Sequence, residues 1–171
     1  GLVGSEMCIR DRGTPYTFRL KSYRTANDKT SYSNYTAVKA TTELSAMKNA
    51  VVKSTSSSAI ALAWGQNANA TGYIIEQYKG GKWTQIAATK NNTTLAFTVK
   101  RLKSDTTYTF RVKAYRNIGK STVYSPYTRL AGTTRIANVS TFTGSCSNIG
   151  AITLRWNVNN VATGYIVEVY R

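Results

Sequence analysis

The sequence predicts an all-β protein built from antiparallel β-sandwiches, and two observations carry that prediction. Apolar residues alternate with polar or small residues along short runs, and blocks of sequence return at a constant spacing of 92 residues, as in 108 − 16 = 92. Alternation with a period of two is typical of strands that have one face on a core and the other in water. A constant spacing is typical of tandem units that share one fold.

The alternating runs lie between turn signals that are rich in glycine and asparagine. The runs cover residues 60–64, 73–76, 95–99 and 108–114. The turn signals cover residues 65–69, 79–81, 90–92 and 117–120. Roughly seven short strands in about 90 residues predict a β-sandwich, because such spacing leaves no room for helices between the strands.

The spacing divides the chain into one complete unit and two halves. The recurring blocks are YTFRLKSYR with YTFRVKAYR, YSNYT with YSPYT, and ATGYIIEQY with ATGYIVEVY. They predict the C-terminal half of a unit at 13–43, a complete unit at 44–135 and the N-terminal half of a third at 136–171. The joints TTELSAMKN and TTRIANVS are short, so each unit is expected to have its neighbour in the chain as a partner and to bend little against it.

The first twelve residues, GLVGSEMCIRDR, show neither the period of two that is typical of strands nor the period of a helix. Charged residues interrupt their apolar positions, which argues against a secretory signal peptide. Back-translated from Leu2, the segment matches the transposase-end adapter that is used to prepare sequencing libraries. Our hypothesis is that residues 1–12 are translated adapter that belongs outside the fold, and that the native N-terminus is missing, so the lack of a signal peptide does not argue against secretion.

The complete unit resembles a fibronectin type III domain, an immunoglobulin-like β-sandwich. Three features carry the resemblance: Trp64 at the end of the second strand, Gly72-Tyr73 at the start of the third, and the segment LKSDTTY that ends at Tyr108. The resemblance implies a tyrosine corner, in which the Tyr108 hydroxyl bonds to backbone upstream. It also implies a structural core that includes Trp64, Tyr73, Leu102, Tyr108, Trp156 and Tyr165. The phrases KGGKW and YTFRVKAYR are most similar to tandem copies in secreted bacterial proteins.

The residue types argue against an enzyme. The chain has no histidine, which excludes Ser-His-Asp and Cys-His pairs and imidazole metal ligands. Glu76 and Glu168 share one repeat position, and a cross-strand ion pair between Glu76 and Arg111 or Lys113 is the expected role. No catalytic, metal or cofactor-binding residue is therefore expected, and no cofactor.

The cysteines predict no disulfide framework. Cys146 is the one cysteine outside the adapter-like segment, so it has no native partner within the chain. It aligns with Ser54, since 146 − 54 = 92, and the repeat does not require a thiol at that position.

The net charge of +16 leaves two interpretations open. Basic residues among exposed aromatic rings can bind an anionic wall or matrix polysaccharide. The candidate residues are Arg111, Lys113, Arg116, Lys79, Lys82, Tyr78, Tyr115 and Trp83. Alternatively, Lys and Arg keep an array soluble and cover its sheet faces and edges. The second interpretation is favoured, because the basic residues are spread over several strands, and nucleic acid is not the expected partner.

The sequence therefore predicts a non-catalytic spacer or stalk array in a secreted or cell-surface modular protein. The alternative is an accessory binding or adhesion module for anionic polysaccharide, attached to an extracellular carbohydrate-active enzyme or an adhesin. No apolar run reaches the length of roughly 18 residues that a membrane span requires. The half-units at 13–43 and 136–171 are expected to expose apolar faces and open sheet edges, which favours self-association.

Overall fold

A computed structural model describes residues 11–147 and 149–170, which contain fourteen β-strands and no helix. The first ten residues, most of the adapter-like segment, lie outside the described residues. The all-β sandwich that the alternation predicts is confirmed.

The smaller sheet of the middle unit has three antiparallel strands in the order β5-β6-β9. These strands are β5 (Val51–Thr55), β6 (Ala59–Ala63) and β9 (Ala96–Lys100). Their register places Ala59 opposite Lys100 and Ala63 opposite Ala96, so the alternating alanines of β6 share one face and its larger residues the other. The larger residues therefore turn toward the second sheet.

The second sheet contains the remaining five strands of the middle unit. They are β7 (Gly72–Lys79), β8 (Lys82–Ala88), β10 (Thr107–Ile118), β11 (Ser121–Tyr124) and β12 (Thr128–Thr133). Strand β10 pairs with β7 on one side and with both β11 and β12 on the other. The path from β11 to β12 is interrupted at residues 125–127, where Pro126 has no N–H to donate to a ladder.

The core lies between these two sheets. Its side chains come from alternate positions of β6, β7 and β10, as the period of two requires. The fully buried strand residues are Ile60, Leu62, Tyr73, Ile75, Phe110, Val112 and Ala114. The residues between them on β10, Arg111 and Lys113, face away from the core, and this alternation positions the candidate site.

Two smaller sets of strands flank the middle unit. Before it, β1 (Pro15–Leu20) pairs with β4 (Thr36–Thr41), and β2 (Tyr23–Ala26) pairs with β3 (Lys29–Tyr32). After it, β13 (Phe142–Cys146) and β14 (Ile152–Trp156) form a two-stranded sheet. The bounds of β4 and β12 differ by a constant 92 residues, since 128 − 36 = 133 − 41 = 92.

The core prediction is wrong for Trp156 and Tyr165. Trp156 is half-buried and Tyr165 is 39% exposed. Residues 164–170 form no strand, although they match β7 in sequence. The physical reason is that within the described residues no strand pairs with 164–170 and no second sheet covers Tyr165, and a lone sheet pair buries little.

The local geometry around Tyr165 nevertheless matches that around Tyr73. The Tyr73 hydroxyl accepts a hydrogen bond from the Asn67 N–H at 2.9 Å, and the Tyr165 hydroxyl accepts one from the Asn159 N–H at 2.6 Å. Each tyrosine ring lies 5.5 Å from a tryptophan ring, at 59° in the first case and 57° in the second. Similar local sequences thus form similar local contacts with and without a covering sheet.

Asp11 and Arg12, the last two residues of the adapter-like segment, contact the folded residues that follow. The Thr42 hydroxyl donates to the Asp11 carbonyl at 2.5 Å, and the Asn69 side-chain amide donates to the Arg12 carbonyl at 3.3 Å. Both bonds use backbone carbonyls. Every residue type supplies such a carbonyl, so these two bonds do not depend on the side chains, whereas the Asp11 carboxylate also accepts a hydrogen bond from the Tyr16 hydroxyl at 2.7 Å.

Candidate functional site: the outward face of the larger sheet

The candidate site is the face of the larger sheet that points away from the core, centred on Arg111. Arg111 lies directly opposite Glu76 in the register between β10 and β7. The Arg111 Nε donates to Glu76 Oε2 at 2.5 Å, and the other carboxylate oxygen accepts from the Tyr127 hydroxyl at 2.8 Å. The ion pair expected at Glu76 is therefore made by Arg111, and Lys113 takes no part in it.

Two aromatic rings enclose the Arg111 guanidinium. Its central carbon lies 3.8 Å from the centroid of the Tyr127 ring and 4.3 Å from the Trp83 ring. The side chain of Arg111 is 21% exposed and that of Glu76 13% exposed. A cation that is stacked on two rings and neutralised by a carboxylate has little field left for an external anion. Arg111 therefore stabilises the sheet and contributes little to the binding of an external anion.

Lys113, on the same face, is less neutralised than Arg111. Its Nζ lies 4.0 Å from the centroid of the Tyr124 ring and 4.5 Å from the Tyr127 ring. Within the described residues no carboxylate lies within ion-pair distance of this ammonium. Tyr124 and Tyr127 were missed by the sequence analysis, although the recurrence of YSNYT as YSPYT marked their segment. The break at Pro126 hides the alternation that would have assigned them to this face.

Four of the predicted residues lie together at the hairpin between β7 and β8. Tyr78 and Trp83 are directly opposite in the register, with ring centroids 5.3 Å apart. Lys79 precedes the turn and Lys82 follows it, and both are exposed. Trp83 connects this hairpin to Arg111, so these four residues extend the outward face toward one end of the unit.

Tyr115 and Arg116 lie apart from the other six candidates. The Tyr115 hydroxyl donates to the Thr89 carbonyl at 2.8 Å. The Arg116 Nη1 donates to the Gly13 carbonyl at 3.0 Å, so its charge faces residues that precede the middle unit. The cause is the length of β10, whose twelve residues carry its last positions to the opposite end of the unit from the hairpin.

A basic cleft opens between the two sheets at the hairpin end. Its aromatic and basic lining residues are Tyr78, Phe97, Tyr108, Lys79, Lys100, Arg101 and Lys103. None of the residues that line the cleft is acidic. Clustered cations without carboxylates attract anions, and aromatic walls add contact area for a polymer.

Two of the predicted core residues of the middle unit, Leu102 and Tyr108, line this cleft. Trp64 is 3% exposed and Tyr73 is fully buried, whereas Leu102 and Tyr108 are half-buried and pack against the core. The Tyr108 hydroxyl accepts a hydrogen bond from the Lys103 N–H at 2.9 Å, which is the geometry of a tyrosine corner. The Trp64 Nε1 is buried and has no hydrogen-bond partner among the described residues.

A second contact region joins residues 11–43 to the middle unit. Gly13 adopts a φ of +65°, and a Cβ at this position would lie 2.8 Å from Leu44 Cδ2. Leu44 is 1% exposed, and its N–H donates to the Tyr124 carbonyl at 3.3 Å. Together with the Arg116 bond, these contacts hold the backbone at Gly13 against the end of the larger sheet.

The described residues offer few reactive groups. Within 11–147 and 149–170 no three His, Cys, Asp or Glu residues cluster as metal ligands.

A hydrogen bond to Asp11, supported by partial desolvation and by the charge of that carboxylate, raises the pKa of Tyr16 above 10.0. In the part of the chain that the structure describes, no helix has the length and apolar character to cross a membrane.

Comparisons with known proteins identify the middle of the chain. Residues 45–129 match the family model of the fibronectin type III domain. The crystal structure of FN3tt is 23% identical, with a TM-score of 0.47, and the match covers 55% of this chain and 97% of that one. The fn3 domain of human collagen alpha-1(XX) chain is 14% identical, with a TM-score of 0.45, covering 57% of this chain and 91% of that one. Residues 45–129 form a fibronectin type III domain, a module that is typically non-catalytic and is common in extracellular proteins.

Proposed function

We propose that the chain is a segment of a tandem array of fibronectin type III units that acts as a spacer or stalk. The parent protein would be a secreted or cell-surface modular protein of bacterial type. The observation that carries this proposal is the joint at Gly13, where a backbone contact and a buried leucine hold adjacent segments together. A spacer separates other domains only if its joints resist bending.

Two features at the joint support limited bending. The Arg116 guanidinium reaches the Gly13 carbonyl, and the Leu44 side chain is buried beside it. Within residues 13–43, the Gly13 N–H donates to the Glu43 carbonyl at 3.0 Å. Asp105 and Arg135 make the matching backbone bond at 3.2 Å before the next joint. The spacing is again 92 residues, since 105 − 13 = 135 − 43 = 92. Equal bonds at equal spacing support the tandem arrangement.

Residual dipolar couplings of the full chain test the joint. We expect the couplings of residues 13–43 and 44–135 to fit one alignment tensor in the unaltered chain. Arg116→Gln should give two independent tensors, because it weakens the bond to Gly13. Arg129→Gln, an exposed position on β12, is the matched control and should leave one tensor. Two independent tensors in the unaltered chain would contradict a stiff spacer.

The array itself is tested at the level of the gene. A continuous long read across the source locus should contain further copies at the same 92-residue spacing, as between Tyr16 and Tyr108. It should also replace the codons for residues 1–12 by native sequence. A locus with a single copy of the unit would contradict the proposal.

A second candidate function is the binding of anionic polysaccharide, as an accessory or adhesion module. The basic cleft favours it, since Lys79, Lys100, Arg101 and Lys103 surround an aromatic wall that lacks carboxylates. Lys113 extends the positive field onto the outward face. Arg111 contributes little, because Glu76 neutralises it. The cleft therefore replaces Arg111 as the centre of the proposed polyanion surface.

Affinity electrophoresis in gels that contain one polysaccharide at a time tests this candidate. Anionic glycans such as alginate or heparin should retard the chain, neutral dextran should not, and added salt should abolish the retardation. Lys100→Glu with Lys103→Glu should remove most of it. Lys53→Glu, an exposed lysine on β5 away from the cleft, is the control. Equal retardation by dextran, or no effect of the cleft substitutions, would overturn this candidate.

A further inference from the structure

A lysine on the outward face of the larger sheet contacts two tyrosine rings. The Lys113 ammonium lies 4.0 Å from the centroid of the Tyr124 ring and 4.5 Å from that of the Tyr127 ring. Tyr124 is 42% exposed, so this arrangement lies at the surface of the unit. We refer to Lys113, Tyr124 and Tyr127 as the lysine–tyrosine cluster.

The same cluster is present in the segment that precedes the middle unit. The Lys21 ammonium lies 3.9 Å from the centroid of the Tyr32 ring and 5.0 Å from that of the Tyr35 ring. These positions correspond one by one to the cluster of the middle unit, since 113 − 21 = 124 − 32 = 127 − 35 = 92. The chain therefore carries the lysine–tyrosine cluster twice, with similar distances in both places.

A shared hairpin register explains the recurrence. Tyr124 is directly opposite Tyr115 in the register between β10 and β11, and Tyr32 is directly opposite Tyr23 in the register between β2 and β3. In each segment the lysine lies two residues before the first tyrosine of the pair. A residue two positions along a strand is a diagonal neighbour of the opposite ring, within reach of a long side chain. Local strand pairing therefore builds the cluster in each segment.

The positive charge of the cluster is not neutralised by the sheet. Glu76 is the only acidic residue in the five strands of the larger sheet, all of which lie within the described residues. One of its carboxylate oxygens accepts from Arg111 and the other from the Tyr127 hydroxyl. These strands thus leave no carboxylate for the Lys113 ammonium. The aromatic rings attract a cation without cancelling its charge.

We propose that each unit of the array carries the lysine–tyrosine cluster as a binding site for one anionic group of a polysaccharide, a carboxylate or a sulfate. The ligand is therefore a polymer that contacts successive units. A lysine that is already positioned by two rings loses little side-chain freedom when an anion binds. The inference rests on the second candidate function and adds to it a repeated site outside the cleft.

The spacing of the clusters sets a minimum length for the ligand. The twelve residues of β10 extend over about 40 Å at the usual rise of a strand, so one unit is about that long. Clusters in neighbouring units are therefore separated by a distance of this order. A polymer that reaches two of them binds more tightly than one that reaches a single cluster, because the second contact is intramolecular.

Isothermal titration of the full chain with polysaccharides of defined length tests the repeated site. One series uses alginate, whose anionic groups are carboxylates, and the other uses dextran sulfate, whose anionic groups are sulfates. Each series compares a fraction shorter than half a unit with one longer than two units. At equal concentrations of sugar residues, the long fraction should bind about tenfold more tightly or better in at least one series. That series identifies the anionic group.

Substitution of one cluster should remove the gain from length. Lys21→Glu leaves only the middle unit able to bind, so the long fraction should then bind no more tightly than the short one. Lys39→Glu is the matched control, because it makes the same charge change at an exposed position of the same segment. The counterpart of Lys39 is Ala131, since 131 − 39 = 92, so this lysine is not part of a repeated site. The control should keep the gain.

The possible failures of this inference and of the second candidate function are distinguishable. A gain from length that survives Lys21→Glu, or that Lys39→Glu removes equally, would overturn the repeated site. Binding that is lost only on substitution of Lys100 and Lys103 would preserve the cleft as a polyanion site and overturn this inference alone. No binding of any fraction would overturn both.

NMR titration with the short fraction locates the contact without any substitution. The ring signals of Tyr32 and Tyr124 should shift together as the short fraction is added, because each ring lies beside a bound anion. Shifts confined to Tyr78 and Tyr108, which line the cleft, would overturn the inference. Tyr124→Leu keeps the charge of Lys113 and removes one ring, so it should weaken the gain from length, and an unchanged gain would likewise contradict a cluster that positions the lysine.

Discussion

The Arg111 guanidinium and the Glu76 carboxylate form an ion pair across β10 and β7, with 2.5 Å between Nε and Oε2. Both side chains are largely covered, although they lie on the face of the sheet that points away from the core. The rings of Tyr127 and Trp83 provide the cover. The charge of Arg111, near the centre of the basic strand β10, therefore helps to hold the sheet together.

Removing Glu76 should destabilise the middle unit. Glu76→Ala leaves Arg111 without its carboxylate and the Tyr127 hydroxyl without its acceptor, so we expect a loss of about 1–3 kcal/mol in the free energy of unfolding. Urea unfolding of residues 44–135, followed by circular dichroism, measures the loss. Lys53→Ala is the control, because Lys53 is exposed and makes no side-chain ion pair among the described residues. Equal losses for the two variants would show that the pair contributes nothing.

Two tyrosine hydroxyls should differ in their contribution to stability. The Tyr73 hydroxyl accepts from Asn67 and donates to the Asn92 carbonyl at 3.1 Å, inside a fully buried site. Tyr73→Phe leaves the buried Asn67 N–H and the partly buried Asn92 carbonyl unpaired, at a cost of about 2–3 kcal/mol. Tyr108→Phe removes one bond near solvent, at a cost of about 1 kcal/mol. The same urea experiment ranks the two variants, and the reverse order would contradict this account.

Trp64 should contribute through packing and not through its polar atom. Trp64→Ala opens a cavity beside Tyr73 and should cost roughly 3–5 kcal/mol, most of the stability of a small domain. Trp64→Phe should cost far less, because the Trp64 Nε1 has no hydrogen-bond partner to lose. A loss below about 1 kcal/mol for Trp64→Ala would mean that the ring is not part of the core.

Tyr16 should titrate above its ordinary range. Asp11 accepts a hydrogen bond from its hydroxyl at 2.7 Å, which favours the protonated phenol and raises the pKa of Tyr16. Because the folded pKa is raised, this hydrogen bond stabilises the folded state below pH 10.0. The stabilisation is lost as the pH rises through the folded pKa. Asp11→Ala should return the pKa toward 10.0, as measured by NMR titration of the Tyr16 ring. An unchanged pKa would show that the bond does not form.

Much of the candidate site could be predicted from alternation alone. The period of two assigned Arg111, Lys113 and Glu76 to the outward face, because parity along a strand is a local property. The same reasoning missed Tyr127, since its parity is broken at Pro126 and its contact with Glu76 spans 51 residues. It also misplaced Arg116, whose partner Gly13 lies 103 residues away along the chain.

The sequence by itself determined the elements of this protein: the strands, the turns and the face on which each strand side chain lies. These follow from backbone sterics and from hydrophobic periodicity over a few residues, and so they recur wherever the same sequence motifs recur. Only the tertiary structure decided which charges are free and which apolar residues are covered. Tyr73 and Tyr165 make the same local bonds, yet one is fully buried and the other 39% exposed. Burial depends on a second sheet that is distant in the chain, and no local pattern contains that information.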